Sequence, residues 1–228
     1  MIVIAVEGLV GAGKSVLLKN CLIPILLERG WKVTLVDEPV EKWCKDDLLK
    51  KFYEDPKRYA YHFQTKAFHD RVKECQSQFK KYGRDTDVFL LERSVFSDTI
   101  FMKTLHQQGM VDDMEMRHYS EWWELWEEVM PFQPDLFIYL KPDLDVCMDR
   151  LRERSRIGEE GVNREYQFLL QSHHDEFFGG EAVEVSPGHY IPVLKLETNS
   201  NFRDDPKIRA EITNLVEDKI RLIKGAKV

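Results

Sequence analysis

Five short apolar runs recur along the chain, separated by segments with helical spacing: Ile2–Val6, Lys32–Val36, Val88–Leu91, Leu136–Leu140 and Val193–Leu196. Each is rich in β-branched, leucine or aromatic residues and too short for a helix of ordinary length, so each reads as a buried strand. Strands alternating with helices predict an α/β fold, a five-stranded parallel sheet flanked by helices on both faces. The first helix follows directly on residue 15, and Pro24 inside it should bend it near Asn20, whose carbonyl the proline ring crowds. Residues 58–81 carry a long helical pattern. Trp122, Trp123 and Trp126 fall on another helix, where packing or subunit contact is the expected role. Residues 179–192 read as a surface loop. No repeat, low-complexity tract or linker divides the sequence, so residues 1–228 are expected to form one domain.

Charge and composition narrow the function classes. A net charge of −7 with no offsetting basic stripe argues against a nucleic acid polymer as the main partner. Cys21, Cys44, Cys75 and Cys147 show no C-x-x-C spacing and read as reduced thiols. No apolar run reaches membrane-span length, and the first strand begins at residue 2. The expectation is a cytoplasmic chain with neither a membrane partner nor a leader peptide.

The chemistry begins where the first strand ends. Gly8-Leu9-Val10-Gly11-Ala12-Gly13-Lys14-Ser15 fits the phosphate-loop pattern G-x-x-x-x-G-K-[ST] between a strand and a helix. Its glycines let backbone N–H groups turn toward phosphate oxygens, and the helix N-terminus adds positive potential. Lys14 then reaches the outer phosphates and Ser15 holds Mg²⁺. Ligands in parallel sheets bind beyond the strands' carboxyl ends, and charged or aromatic residues follow every strand here. Glu38-Pro39 follows the second strand, where a carboxylate suits a general base for a hydroxyl nucleophile and equally a polar turn fixed by Pro39. Glu92-Arg93-Ser94 follows the third. The stretch Arg150-Leu151-Arg152-Glu153-Arg154-Ser155-Arg156 alone reads as a solvated helix end. Beside a phosphate loop it reads as a lid whose arginines stabilise a moving phosphoryl group, with Gly158 and Gly161 giving it room to move. The adjacent His173 and His174 point to different helix faces and read as structural or solvated, not as metal ligands.

In this order the motifs resemble the deoxyribonucleoside kinase family over nearly the whole chain. The resemblance rests on the glycine-rich loop, Glu38-Pro39-Val40 with Trp43, Tyr53 before Asp55-Pro56, Phe63-Gln64, Glu92-Arg93-Ser94, the arginine lid and Asn201-Phe202-Arg203-Asp204-Asp205. It implies a P-loop kinase fold and an ATP-dependent deoxynucleoside 5′-kinase with Mg²⁺ as cofactor. Glu38 resembles the base facing the sugar 5′-hydroxyl, Arg93 the arginine that holds that hydroxyl, and Lys14 the third catalytic group. Gly8, Gly11, Ala12, Gly13, Lys14 and Ser15, with Arg150, Arg154, Arg156 and Phe202, resemble the ATP site. Ser15 and Glu92 resemble the metal site. Trp43, Phe63 and Phe101 resemble the aromatics around the base, and Gln64 the amide on its edge. Tyr53 and Glu159 resemble the pair on the 3′-hydroxyl, with Glu160 as the alternative to Glu159.

Ala67 and Arg71 follow Gln64 by three and seven residues, and Asp98 follows Arg93 by five. This set resembles the deoxycytidine and purine branch, so those deoxynucleosides are expected over thymidine. A nucleoside monophosphate kinase such as a thymidylate kinase is the rival of the same fold, but Glu38 would repel an acceptor phosphate. A non-catalytic nucleotide-binding protein is the other rival, and the intact Lys14, Ser15, Glu38 and Arg93 argue against it. The resemblance also implies a homodimer, with the Trp122–Trp126 helix as candidate surface.

Overall fold

The computed structural model describes residues 1–129, 133–156, 159 and 161–226. A six-stranded sheet in the order β2-β3-β1-β4-β6-β5 forms its centre. β1 (Ile2–Gly8), β2 (Val33–Val36), β3 (Val88–Glu92), β4 (Leu136–Leu140) and β6 (His189–Leu196) all run parallel. These are the five strands expected from the apolar runs. Every residue of β1, β3 and β4 is buried, so helices cover both faces there.

The sixth strand corrects the expected loop at 179–192. β5 (Ala182–Ser186) pairs antiparallel with β6 through a two-residue turn at Pro187-Gly188, where Gly188 has φ +78°. Only Val183 of β5 is fully buried, so this edge strand lacks the continuous apolar run of the others. Its flanking Gly and Pro residues gave it the signature of a loop.

The helices are α1 (Lys14–Val16), α2 (Ile23–Glu28), α3 (Val40–Lys45), α4 (Leu48–Glu54), α5 (Pro56–Tyr82), α6 (Val95–Gln107), α7 (Asp113–Val129), α8 (Leu144–Arg154), α9 (Arg164–Phe178) and α10 (Pro206–Ala226). Between α1 and α2 the chain widens into a π-helical stretch, Leu17–Leu22. Pro24 lacks an N–H for the Asn20 carbonyl, and the expected bend takes this form, with the Ile23 N–H donating to the Leu18 carbonyl. On α7, Trp123 packs its ring against Phe96 and donates its indole N–H to the Val95 carbonyl, while Trp122 stays exposed. His173 and His174 are buried on α9, bonded to Gln107 and to the Leu170 carbonyl. Burial, then the charge of Arg93, holds His174 neutral, at a pKa of about 3. Cys21, Cys75 and Cys147 are buried free thiols.

β1 lies between β3 and β4, so its carboxyl end opens at the centre of the sheet edge. The ends of β2, β3 and β6 surround it. This is the crevice where a doubly wound sheet binds ligands.

Candidate active site

The phosphate loop leaves β1 at Gly8 and enters α1 at Lys14. Gly11 has φ +85° and Gly13 has φ +98°, a region L side chains rarely adopt. Space also demands glycine. A Cβ on Gly11 would lie 2.6 Å from the Cys147 carbonyl oxygen of α8, and one on Gly13 would lie 2.9 Å from the Phe202 ring. Lys14 is buried beneath the loop and donates to the Leu9 carbonyl at 2.8 Å. Burial, reinforced by the charge of Arg93, lowers its pKa to about 7. Ser15 donates to Glu92 across 2.5 Å, which joins the loop to the end of β3.

These two side chains are hard oxygen ligands side by side, the donor type that Mg²⁺ takes. No cluster of three His, Cys, Asp or Glu side chains able to hold a metal occurs among the described residues. Mg²⁺ usually needs only one or two protein carboxylates beside phosphates and water, so the pair fits that ion.

Opposite the loop, the turn after β2 brings in Glu38. Its Oε1 accepts from Arg71 Nη2 at 3.0 Å and lies 3.5 Å from Arg93 Nε. Burial alone would raise the Glu38 pKa. The charges of Arg71, Arg93 and Lys14 outweigh it and hold the carboxyl at about 2. Arg71, from α5, is a buried hub. It grips Asp98 of α6 with Nε at 2.9 Å and Nη2 at 3.2 Å, and its Nη1 donates to the Glu92 carbonyl at 3.2 Å. Such two-point guanidinium–carboxylate contacts fix geometry as well as charge.

Arg93 has φ +66°, left-handed for a residue with a side chain. It is buried, with its guanidinium 4.7 Å from the centre of the Phe101 ring and its Nη1 unpartnered among the described residues. A left-handed backbone carrying a buried cation with an unused donor is characteristic of functional sites.

Beyond Glu38 the cavity becomes aromatic. Trp43 meets Phe63 edge to face at 5.4 Å, and Phe52 stacks on Phe63 at 4.9 Å. Tyr53 joins this wall; a Cβ on Gly161 would lie 2.5 Å from its Cβ, so only glycine fits there. Gln64 and Ala67 line the same space, about two turns and one turn before Arg71 on α5. Burial, with Tyr166 and Glu159 nearby, keeps the Tyr53 phenol neutral well above its ordinary pKa.

On the lid side Arg154 and Arg156 both bond Glu159, at 2.5 Å and 3.1 Å. Arg150 is tied to the Ala12, Thr198 and Ser200 carbonyls and lies over the Phe202 ring. Gly158 and Glu160 lie outside the described residues.

A single cavity of about 1130 Å³ brings these groups together. Every expected site residue lines it except Gly8 and Ala12, whose carbonyls contact Lys14 and Arg150 from behind.

The family model for deoxynucleoside kinases matches residues 4–221. The chain belongs to the deoxynucleoside kinase family. It is therefore a nucleoside kinase. A probable deoxycytidine kinase of fowlpox virus is 36% identical over 218 residues, covering 95% of this chain and 87% of the relative. Deoxycytidine kinase 2 of Gallus gallus is 32% identical, covering 91% and 86%. The mitochondrial deoxyguanosine kinase of Xenopus laevis is 29% identical, covering 94% and 88%.

Two residues of this deoxynucleoside kinase shape the site without having been expected there. Asp70 of α5 is buried and accepts from the Trp43 indole at 3.1 Å and from Lys42 at 3.0 Å, and it also bonds Lys66. It pins α3, and with it the aromatic wall, onto α5. Burial raises its pKa, but bonds from Lys66, Lys42, Trp43 and His69 outweigh this and hold it at about 2. Glu7, in β1, is the other; in the sequence it stands between the apolar run Ile2–Val6 and the phosphate loop, and only the structure extends the strand through it.

Proposed function

We propose that this kinase transfers the γ-phosphate of ATP to the 5′-hydroxyl of a deoxynucleoside. Deoxycytidine and purine deoxynucleosides are preferred over thymidine, and the role is nucleotide salvage. One observation carries the reading: Glu38, held between Arg71 and Arg93, sits where the phosphate-loop end of the cavity meets its aromatic end. That junction is where a phosphate on the loop would face a hydroxyl of a nucleoside in the aromatic end.

Lys14 and the loop amides orient the triphosphate. Mg²⁺, held by Ser15 and Glu92, would neutralise phosphate charge. Glu38 accepts the hydrogen bond of the 5′-hydroxyl and aims its oxygen in line with the phosphorus. A carboxyl with a pKa of about 2 is ionised at every physiological pH, so the acceptor is always available. It is a weak base, which suits a loose phosphoryl transfer in which the hydroxyl proton leaves late. The unpartnered Nη1 of Arg93 is a ready donor to the developing charge. Arg154 and Arg156 add positive charge from the lid, and closure excludes water that would hydrolyse ATP.

The base lies between Trp43, Phe63 and Phe101, with Gln64 on its edge. Arg71 holds Asp98 as a fixed acceptor, suited to an exocyclic amino group such as that of cytosine or adenine. The Arg71–Asp98 pair would also take the volume that a thymine methyl group needs.

The supporting features for a homodimer are Met114, Trp122 and Leu125, all exposed on α7. No helix among the described residues is long and apolar enough to cross a membrane, and we assign the protein to the cytoplasm, as a single catalytic domain. The test is a radiolabelled ATP transfer assay across deoxycytidine, deoxyadenosine, deoxyguanosine and thymidine. Faster turnover of thymidine than of the other three overturns the base assignment. No transfer to any of them overturns the acceptor assignment.

A further inference from the structure

We infer that Glu7 is a positioning residue for Arg93: its buried carboxylate locks the turn after β3 so that Arg93 stays left-handed and aims at the transferring group. The inference deepens the proposed kinase reading and rests on it.

Glu7 is the penultimate residue of β1 and has no exposed surface. It touches neither the cavity nor any expected substrate group. Its carboxylate takes three donors, all from the segment just after Arg93. Oε1 accepts from the Ser94 amide at 2.9 Å and from the Ser94 hydroxyl at 2.6 Å, and Oε2 accepts from the Ser97 hydroxyl. Next to it on the same strand, the Val6 carbonyl accepts from the Arg93 amide at 3.0 Å. The Ser94 hydroxyl also caps α6 by accepting from the Phe96 amide at 3.3 Å. Arg93 is thus bracketed. One bond holds its own amide, and a three-point clamp holds the two serines that follow.

This clamp resolves a physical problem. A left-handed arginine is strained and persists only where its surroundings over-determine it. A buried carboxylate is itself costly unless fully bonded. Here the two costs are met by one arrangement. Burial pushes the Glu7 pKa up, while the serine bonds, Arg93 and Arg71 pull it back. In return the turn projects the Arg93 guanidinium across Phe101, with Nε 3.5 Å from Glu38 and Nη1 unpaired. An extended Arg93 would send the side chain elsewhere from the same Cα.

Two variants test this. Glu7→Gln keeps an oxygen for Ser94 but offers an amide N–H toward Ser97. Glu7→Leu removes every acceptor. The first readout is crystallographic and does not depend on turnover. In Glu7→Leu, Arg93 is expected to leave positive φ and its guanidinium to leave the Phe101 ring. An Arg93 unchanged in both respects overturns the inference. Should Glu7→Leu not fold, the same readouts apply to Glu7→Gln, where the Arg93 guanidinium is expected to shift off Phe101.

The second readout is kinetic coupling. A displacement near 1 Å at a reacting group costs about 10²-fold in rate. Glu7→Leu should therefore lower kcat by about that factor, with KM for ATP unchanged. In an Arg93→Ala background the same change should cost less than about 3-fold, because the side chain being positioned is already gone. Equal losses in both backgrounds overturn the inference and leave a stability role alone. A wild type with no transfer activity would instead sink the kinase reading, while the crystallographic arm still decides the role of Glu7.

Discussion

Replacing Arg71 by methionine removes the charge that compensates two carboxylates at once. Asp98 is buried and bonded to Arg71 at two points, and Glu38 is bonded to the same guanidinium. Removing one partner of a buried pair leaves an uncompensated charge and costs about 3–5 kcal/mol. For a chain of this size each kcal/mol lowers Tm by about 2–4 °C, so the expected fall is about 6–20 °C at neutral pH. The loss must also depend on pH. In the native protein Glu38 has a pKa of about 2, below its ordinary 4.5. A depressed carboxyl contributes stability that is present above the unfolded pKa and lost as pH falls through the folded one. That contribution is about 3 kcal/mol above pH 5, at 1.36 kcal/mol per pKa unit. Burial already raises the folded pKa of Asp98 against the pull of Arg71, and without Arg71 it rises further. A raised carboxyl behaves in reverse: stability is intact below the unfolded pKa and lost as pH rises through the folded one. The gap between wild type and variant should therefore be widest at pH 8 and narrow toward pH 4.5. Urea denaturation at pH 4.5, 6 and 8 reads it. Adding Asp98→Leu should recover part of the loss at pH 8. A gap below about 1 kcal/mol at pH 8, within the range of an exposed ion pair, or one indifferent to pH, refutes the reasoning.

Other outcomes follow from the same geometry. Lys14 has a pKa of about 7 in the free protein, and bound phosphates must raise it, so nucleotide binding at pH 8 should take up close to one proton and weaken as pH rises; calorimetry in buffers of different ionisation enthalpy measures this, and uptake persisting in Lys14→Met contradicts it. Asp70→Leu should raise KM for the deoxynucleoside about 10-fold with kcat nearly unchanged, because the Trp43 bond serves binding, and Asp70→Asn, which keeps an acceptor, should do less harm. Gly161→Ala should cost about 1–3 kcal/mol in a melting experiment, because its methyl group would overlap the Tyr53 side chain.

The sequence made most of this site legible because its chemistry is local. The phosphate loop, Glu38, and Glu92-Arg93-Ser94 each follow a strand whose apolar run is plain. What escaped was pairing across distance. Asp70 looks like one more charge on a long helix, and only the fold brings Trp43 and Lys42 of α3 onto it. Glu7 falls just past the apolar run Ile2–Val6, and its serine partners lie 87 and 90 residues away. β5 was missed because an edge strand need not be apolar. Glu159, expected at the sugar, is held by Arg154 and Arg156, a pairing that its spacing of five and three residues already allowed.

The central claim is that Glu38 orients a nucleoside 5′-hydroxyl against a triphosphate on the loop. The most direct measurement compares wild type with Glu38→Gln for transfer to deoxycytidine, together with nucleotide affinity and the position of the phosphate in the product. The account predicts a 5′-monophosphate product, a fall in kcat/KM of at least about 10²-fold and little change in nucleotide affinity. A variant within about 3-fold of wild type, or phosphate on the 3′-oxygen, would contradict it.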